Sequence, residues 1–291
     1  SQVDEDYIKE IKSVFNFGFG EVARVGACCL TVIFQNGNII CGNAGDCRAV
    51  LAQKKNVNRA SDIETMLSHS QPGAFFNAIS LSRDHNAREI QEQERLVKEH
   101  PDEGIRELIQ CYHENACYVK GRLQPSRSFG DLYLKRKEFN GPPRSSSNPD
   151  LARGAHIEAP YHPPYITCLP EVSVRPQNDQ VVNNNQDAFL IMASDGLWDV
   201  MTSQQAVDFV GELYKTQTIE PVVVDTKKWS WTQKKEPPRR DGNAAQSLLE
   251  EALRRVANEY GMSVSDLKRI PPGQHRRQRH DDISIIVVFF K

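Results

Sequence analysis

The sequence predicts an α+β fold in which antiparallel β-sheets carry helices on their outer faces. Short apolar strands joined by tight turns come early in the chain, and two amphipathic helices come late. No internal repeat and no linker between separate cores is visible, so we expect one domain over residues 1–291. Polar segments without helical or strand periodicity predict loop insertions at about residues 54–78, 135–165 and 215–242.

The strand predictions rest on apolar, β-branched runs that are bounded by turn residues. Residues 28–34 and 38–41 flank the turn signal Asn36-Gly37 and predict a hairpin. Residues 117–119 and 122–124 flank a glycine and predict another. The remaining predicted strands cover residues 48–52, 79–81, 171–175, 188–193 and 283–290.

The helix predictions rest on apolar periodicity and capping residues. Helical character is moderate over residues 3–19, and residues 87–99 predict a charged, mostly solvated helix with Ile90, Leu96 and Val97 as its apolar contact. Thr202 followed by Gln205 is a capping-box pattern, and residues 244–260 form the clearest amphipathic stretch. The basic residues 264–279 are predicted to be a loop.

Composition narrows the class of protein. A net charge of −2 gives no electrostatic reason to expect nucleic acid or an acidic membrane as a partner. No apolar run reaches the roughly 18 residues of a membrane span, and no signal peptide is visible. Seven cysteines without a CxxC pair predict reduced thiols, no zinc site and an intracellular protein.

The stretch DAFLIMASDGLWDV, residues 187–200, carries the clearest candidate chemistry. An apolar strand ends at a turn that holds Asp195, and Asp199 follows four residues later. Asp46 lies at an earlier strand turn, and Asp281 precedes the last strand. Each could be an ordinary turn aspartate. Strand ends that meet at one rim would instead crowd carboxylates together, which favours a hard cation such as Mg²⁺ or Mn²⁺ between them.

Several motifs together indicate a family. In order and spacing, GNAGDCRAVL, GRLQPSRSFGD, ASDGLWDVMTSQQAVDFV and HDDISIIVV resemble the metal-dependent protein phosphatases of the protein phosphatase 2C family. LYLKRKEFN, PYHPPYITCLPEVSV and RRQRHDDISIIVV look most similar to pyruvate dehydrogenase phosphatases and related plant and protist enzymes. The resemblance implies a central β-sandwich flanked by helices, with a two-metal site at one end.

The resemblance also implies an activity and assigns residues to it. Asp195 and Asp281 match metal ligands of the family, and Asp46 and Asp199 match aspartates of an additional, weaker metal site. Two or three Mg²⁺ or Mn²⁺ ions would activate a water that hydrolyses phosphoserine or phosphothreonine in a phosphoprotein substrate. A further protein partner is left open. Residues 87–99 fall where the family has its substrate-selecting flap.

One departure from the family pattern has two possible explanations. The Asp-Gly-His-Gly motif, whose Asp bridges both metals in the family, does not occur in the 291 residues. Either these residues are part of a longer enzyme, which we favour, or the protein is a degenerate phosphatase kept as a binding or scaffold subunit. The narrower likeness suggests the mitochondrial matrix, with the cytoplasm as the other setting.

Overall fold

The structure is a computed structural model that describes residues 1–55, 75–112, 116–141, 156–177, 186–215 and 243–290. The central parts of the three predicted insertions lie outside these residues. Backbone contacts divide the chain into two compact units. We call Ser1–Cys47 with Ser82–Arg175 unit 1, and Arg48–Leu81 with Pro176–Lys291 unit 2.

Helices and antiparallel strands make up both units, which confirms the predicted α+β class. The helices are α1 (Gln2–Asn16), α2 (Ile90–Glu99), α3 (Ile105–Leu108), α4 (Asp195–Trp198), α5 (Ser203–Lys215), α6 (Ala244–Glu259), α7 (Val264–Arg269) and α8 (Gln274–Arg277). The strands are β1 (Gly26–Ala27), β2 (Cys29–Gln35), β3 (Asn38–Ala44), β4 (Arg48–Lys54), β5 (Phe76–Ser80), β6 (Ile109–Cys111), β7 (Cys117–Val119), β8 (Phe129–Gly130), β9 (Glu171–Pro176), β10 (Asp187–Ala193) and β11 (Ile285–Phe289). None of the described helices is both long enough and apolar enough to cross a lipid bilayer.

Unit 1 contains the three-stranded sheet β2-β3-β9 and the short pairs β1–β8 and β6–β7. The hairpin β2–β3 forms as predicted, with Asn36 and Gly37 at positive φ between the paired residues Gln35 and Asn38. The predicted hairpin of residues 117–119 with 122–124 is reduced to one antiparallel bridge between Val119 and Leu123. The main partner of β7 is β6, which precedes it in the chain and pairs with it from Ile109 to Cys111.

The β6–β7 pair also corrects the prediction of reduced thiols. Its register makes Cys111 and Cys117 cross-strand partners, and the two form a disulfide. The prediction rested on the number and spacing of the cysteines, and neither contains the strand register that brings Cys111 and Cys117 together. The other five cysteines are free thiols.

Unit 2 is built on the four-stranded antiparallel sheet β11-β10-β4-β5. Strand β10 lies between two neighbours, and Phe189, Leu190 and Ile191 are fully buried, as the apolar run predicted. Helices α5 and α6 pack their apolar faces against this sheet. At the start of α5, Thr202 Oγ1 accepts from the Gln205 amide and Gln205 Oε1 accepts from the Thr202 amide, which confirms the capping box.

Residues 264–279 of unit 2 are not a loop, contrary to the prediction. Ser263 caps α7 by accepting from the Asp266 amide, and α8 begins after Gly273. Leu267 is fully buried against α6, which holds the segment in place. Val264 and Ile270 also pack in this cluster, but the many basic residues between the apolar ones obscured the helical pattern in the sequence.

Candidate functional site

Asp195 is the first residue of α4, directly after the buried strand β10. The chain does not make the simple Asp-Gly turn that we predicted, because Ser194 is extended and a short helix follows it. The Asp195 carboxylate accepts from the Gly196 amide through Oδ1 at 2.9 Å. Trp198 fixes the helix to the strand, since its indole Nε1 donates to the Ala193 carbonyl at 3.0 Å.

The segment that holds Asp281 lies against the start of α4. Ser194 Oγ donates to the Asp282 carbonyl and accepts from the Ser284 amide, both at 3.0 Å. A Cβ on Gly196 would lie 2.6 Å from the Asp282 carbonyl oxygen and 3.2 Å from that of Asp281. Glycine is therefore required here, and the two aspartate-bearing segments approach each other closely within unit 2.

The Asp281 carboxylate is held through one oxygen. Oδ1 accepts from the Asp282 amide at 2.8 Å and from Arg277 Nη2 at 3.3 Å. Among the described residues, all hydrogen bonds of this carboxylate fall on Oδ1. Asp282 points away from the protein, because its side chain is 87% exposed.

Asp199 lies one helical turn after Asp195 and is exposed. Its amide donates to the Asp195 carbonyl at 2.9 Å, so the two residues follow each other along α4. The structure thus places three of the four predicted ligands on adjoining segments of unit 2.

Asp46 belongs to unit 1, in the bend after β3, and is 5% exposed. Its Oδ1 accepts from Cys28 Sγ at 3.3 Å and its Oδ2 accepts from Asn86 Nδ2 at 3.1 Å. Burial raises the pKa of this carboxyl, and the hydrogen bonds from Cys28 and Asn86 offset only part of that effect. Both oxygens already have donors within unit 1.

The segment that positions Asp46 was missed in the sequence. The His85 amide donates to the Gly45 carbonyl at 2.9 Å, and His85 Nδ1 lies 3.3 Å from the Gly45 amide. Asn86, the next residue, supplies the amide that bonds Asp46. Asn86 and Asp46 are 40 residues apart in the sequence. No local pattern in the sequence indicates that they are in contact.

An acidic residue near the N-terminus also acquires a role in the structure. Asp4 is buried on α1, where it accepts from Lys135 Nζ at 2.7 Å and from the Gly130 amide at 2.8 Å. Burial alone would raise the pKa of Asp4, but Lys135 and the Gly130 amide outweigh burial and lower it. Asp4 therefore ties α1 to β8 in unit 1.

The donors in unit 2 suit Mg²⁺ or Mn²⁺ in chemical kind. Mg²⁺ prefers oxygen ligands, keeps several waters and binds proteins through one or two carboxylates. Asp195 and Asp281 offer such carboxylates on segments that Gly196 holds in contact. Over the described ranges, no group of three or more His, Cys, Asp or Glu side chains is gathered as a metal site. The assignment of Asp46, Asp195, Asp199 and Asp281 as ligands stays a prediction.

A family model and the similar proteins all point to the same family. The family model described as Protein phosphatase 2C matches residues 5–257. The Probable protein phosphatase 2C 64 of Arabidopsis thaliana is 34% identical over 270 residues, which cover 93% of this chain and 53% of that protein. The Probable protein phosphatase 2C 25 of Oryza sativa subsp. japonica is 32% identical over 268 residues, with 92% and 54% covered. The chain thus spans about half the length of these relatives.

A solved structure shows the same fold. The serine-threonine phosphatase 2C from Toxoplasma gondii superposes with a TM-score of 0.51 at 18% sequence identity. The match covers 99% of this chain and 64% of that one.

Proposed function

The chain belongs to the protein phosphatase 2C family, and from that premise we propose that it is a metal-dependent phosphatase of phosphoserine and phosphothreonine in proteins. The observation that carries the proposal is the contact in unit 2 between residues 194–196 and 281–284. Ser194 bonds the backbone at both Asp282 and Ser284, and Gly196 lies against the same segment. This contact joins the segment of Asp195, which follows β10, to the segment of Asp281, which precedes β11.

In this proposal the protein supplies rigid oxygen ligands. Asp195 and Asp281 would bind the cations, and Asp199 of the same unit would contribute to a weaker additional site. Bound Mg²⁺ or Mn²⁺ would lower the pKa of a water and offset the charge of the phosphoryl group. The Gly196 amide holds the Asp195 carboxylate, and the Asp282 amide holds the Asp281 carboxylate.

A finer part of the proposal is a substrate like that of the pyruvate dehydrogenase phosphatases, in the mitochondrial matrix. It is supported by the likeness of residues 132–140 and 160–174. Many of these side chains form the core of unit 1, including Leu132, Leu134, Phe139 and Tyr165. Buried side chains do not contact a substrate, so the direct test of this part is to compare the rates at which different phosphorylated proteins are hydrolysed.

The second candidate function is a catalytically impaired binding or scaffold subunit. One observation favours it, since Asp-Gly-His-Gly does not occur in the 291 residues. The two candidate functions differ in whether the protein hydrolyses a phosphopeptide. A phosphopeptide should be hydrolysed at saturating Mn²⁺ by this chain or by a longer natural form that contains it. No turnover by either form would leave the scaffold function.

The ligand assignment can be tested by isothermal titration with Mn²⁺. Asp195→Asn should weaken Mn²⁺ binding at least about tenfold, because it replaces a charged ligand with a neutral one, while circular dichroism stays unchanged. Asp266→Asn is the matched control, since Asp266 is an exposed aspartate on α7 of the same unit. Unchanged Mn²⁺ affinity in Asp195→Asn would show that the assignment is wrong.

A further inference from the structure

A basic segment directly precedes Asp281. Residues 275–280 read His-Arg-Arg-Gln-Arg-His and contain no acidic residue. The helix α8 covers the first part and ends at Arg277, and the His280 amide still donates to the Arg276 carbonyl at 3.1 Å. Arg277 and Asp281 are four residues apart, and the guanidinium of Arg277 faces the Asp281 carboxylate.

The three arginines of this segment differ in what holds them. Arg279 is fixed, because Nη1 donates to the His275 carbonyl at 2.9 Å and its guanidinium lies 5.5 Å from the centre of the Tyr260 ring. The side chain of Arg276 is 31% exposed and lies 3.4 Å from Asp282. The side chain of Arg277 is 73% exposed. Arg277 is thus the arginine most accessible to a ligand.

The ion pair of Arg277 with Asp281 has long contact distances and uses only one carboxylate oxygen. Nε and Nη2 both reach the same oxygen, Oδ1, at 3.4 and 3.3 Å. That oxygen already accepts a shorter bond of 2.8 Å from the Asp282 amide. Exposed ion pairs contribute little to stability, so Arg277 can exchange this partner at low cost.

We propose that Arg277 binds the phosphoryl group of the substrate beside Asp281. The inference rests on the proposed function, because a cation bound at Asp281 would share the negative charge that now attracts the guanidinium. A phosphoryl dianion is then the stronger partner for Arg277, since guanidinium N–H pairs match two phosphate oxygens at once. This makes Arg277 a substrate-binding residue contributed by the basic segment.

A different role for Arg277 would also account for its contact with Asp281. Arg277 could act only by orienting the Asp281 carboxylate through Oδ1. Loss of Arg277 would then weaken cation binding and leave phosphate binding at saturating cation unchanged. The two roles are separated by measuring both affinities on the same variant.

The experiment uses isothermal titration with Mg²⁺ and then with inorganic phosphate at saturating Mg²⁺, on this chain and on any longer natural form. Arg277→Ala should weaken phosphate binding by roughly tenfold to a hundredfold, the range for a charged hydrogen-bonded pair, with Mg²⁺ affinity unchanged within about twofold. Arg277→Lys should fall between wild type and Arg277→Ala, because an ammonium cannot form the paired bond.

Arg269→Ala is the matched control. Arg269 lies 3.3 Å from Asp266, has a side chain 77% exposed and belongs to the same unit, so its loss removes the same charge elsewhere. Phosphate affinity should not change in this variant. Equal losses in Arg269→Ala and Arg277→Ala would overturn the proposal in favour of general charge attraction.

Two further results separate this inference from the proposed function. If the wild type binds Mg²⁺ and Arg277→Ala retains its phosphate affinity, Arg277 does not bind the phosphoryl group, and the phosphatase proposal stands. If no natural form binds Mg²⁺, the metal-dependent function fails and this inference fails with it.

Discussion

Replacing Glu92 with glutamine should remove an acid-sensitive part of the stability of unit 1. The Glu92 carboxylate on α2 is buried, and it accepts from Arg127 Nη2 at 2.6 Å, Ser126 Oγ at 2.7 Å and Arg95 Nε at 3.1 Å. Burial by itself would raise the pKa of Glu92. The hydrogen bonds from Arg127 and Ser126 and the charges of both arginines outweigh burial and lower the pKa to about 2.

The magnitude follows from the difference between folded and unfolded pKa values. An unfolded glutamate has a pKa of 4.5. At roughly 1.4 kcal/mol per pH unit, the lowered pKa corresponds to about 3 kcal/mol of unfolding free energy. Because the folded pKa is the lower one, this contribution is fully present above pH 4.5 and is lost as the pH falls from 4.5 towards 2. Glu92→Gln should therefore cost about 3 kcal/mol at pH 7, and the cost should shrink towards pH 3.

The assay is urea unfolding followed by circular dichroism at pH 7, 5, 4 and 3. Glu99→Gln is the control, since Glu99 is on the same helix and bonds the same Arg95 at 2.6 Å, but its side chain is 48% exposed. The control should change the unfolding free energy by less than about 1 kcal/mol. A pH-independent difference between wild type and Glu92→Gln, or an equal loss in the control, would show that the Glu92 carboxylate does not stabilise unit 1 through its lowered pKa.

Two further predictions concern unit 1. Lys135→Met should lower the free energy of unfolding, measured in urea, by about 3 kcal/mol, because it leaves the buried carboxylate of Asp4 on α1 without its ion pair. Lys9→Met is the control, since it breaks an exposed pair with Asp6 on the same helix and should change that free energy by less than about 1 kcal/mol. Equal losses would contradict this. Gly45→Ala should lower the thermal midpoint more than Gly18→Ala does. Both glycines have positive φ, but a Cβ at Gly45 alone would meet Cys28, with its Sγ 2.3 Å away. Similar midpoints would show that this close approach does not matter.

Some elements could be predicted because their signals are local. The hairpin at Asn36-Gly37, the capping box at Thr202 and the apolar run of β10 depend on residues near each other in the chain, and all three formed as expected. Turn chemistry, capping and apolar periodicity act over a few residues, so the sequence contains the information.

The charged helix α2 shows where that information ends. We predicted a mostly solvated helix with Ile90 in its apolar contact, but Ile90 is 70% exposed, while Leu96 is fully buried. The acidic Glu92 is also buried, because Ser126 and Arg127 pair with it from a segment more than 30 residues away. A charged residue looks solvated in the sequence until its partners are known.

Local patterns were enough to predict the α+β class, the central strand β10 and the likeness to the family. Contacts between distant segments became visible only in the folded chain: the disulfide of Cys111 with Cys117, the hydrogen bond of Asn86 to Asp46, and the contact of Gly196 with the Asp281 segment. Strand identity follows from the pattern of side chains along a short segment. Contacts between distant segments depend on strand pairing and register, which no local pattern specifies.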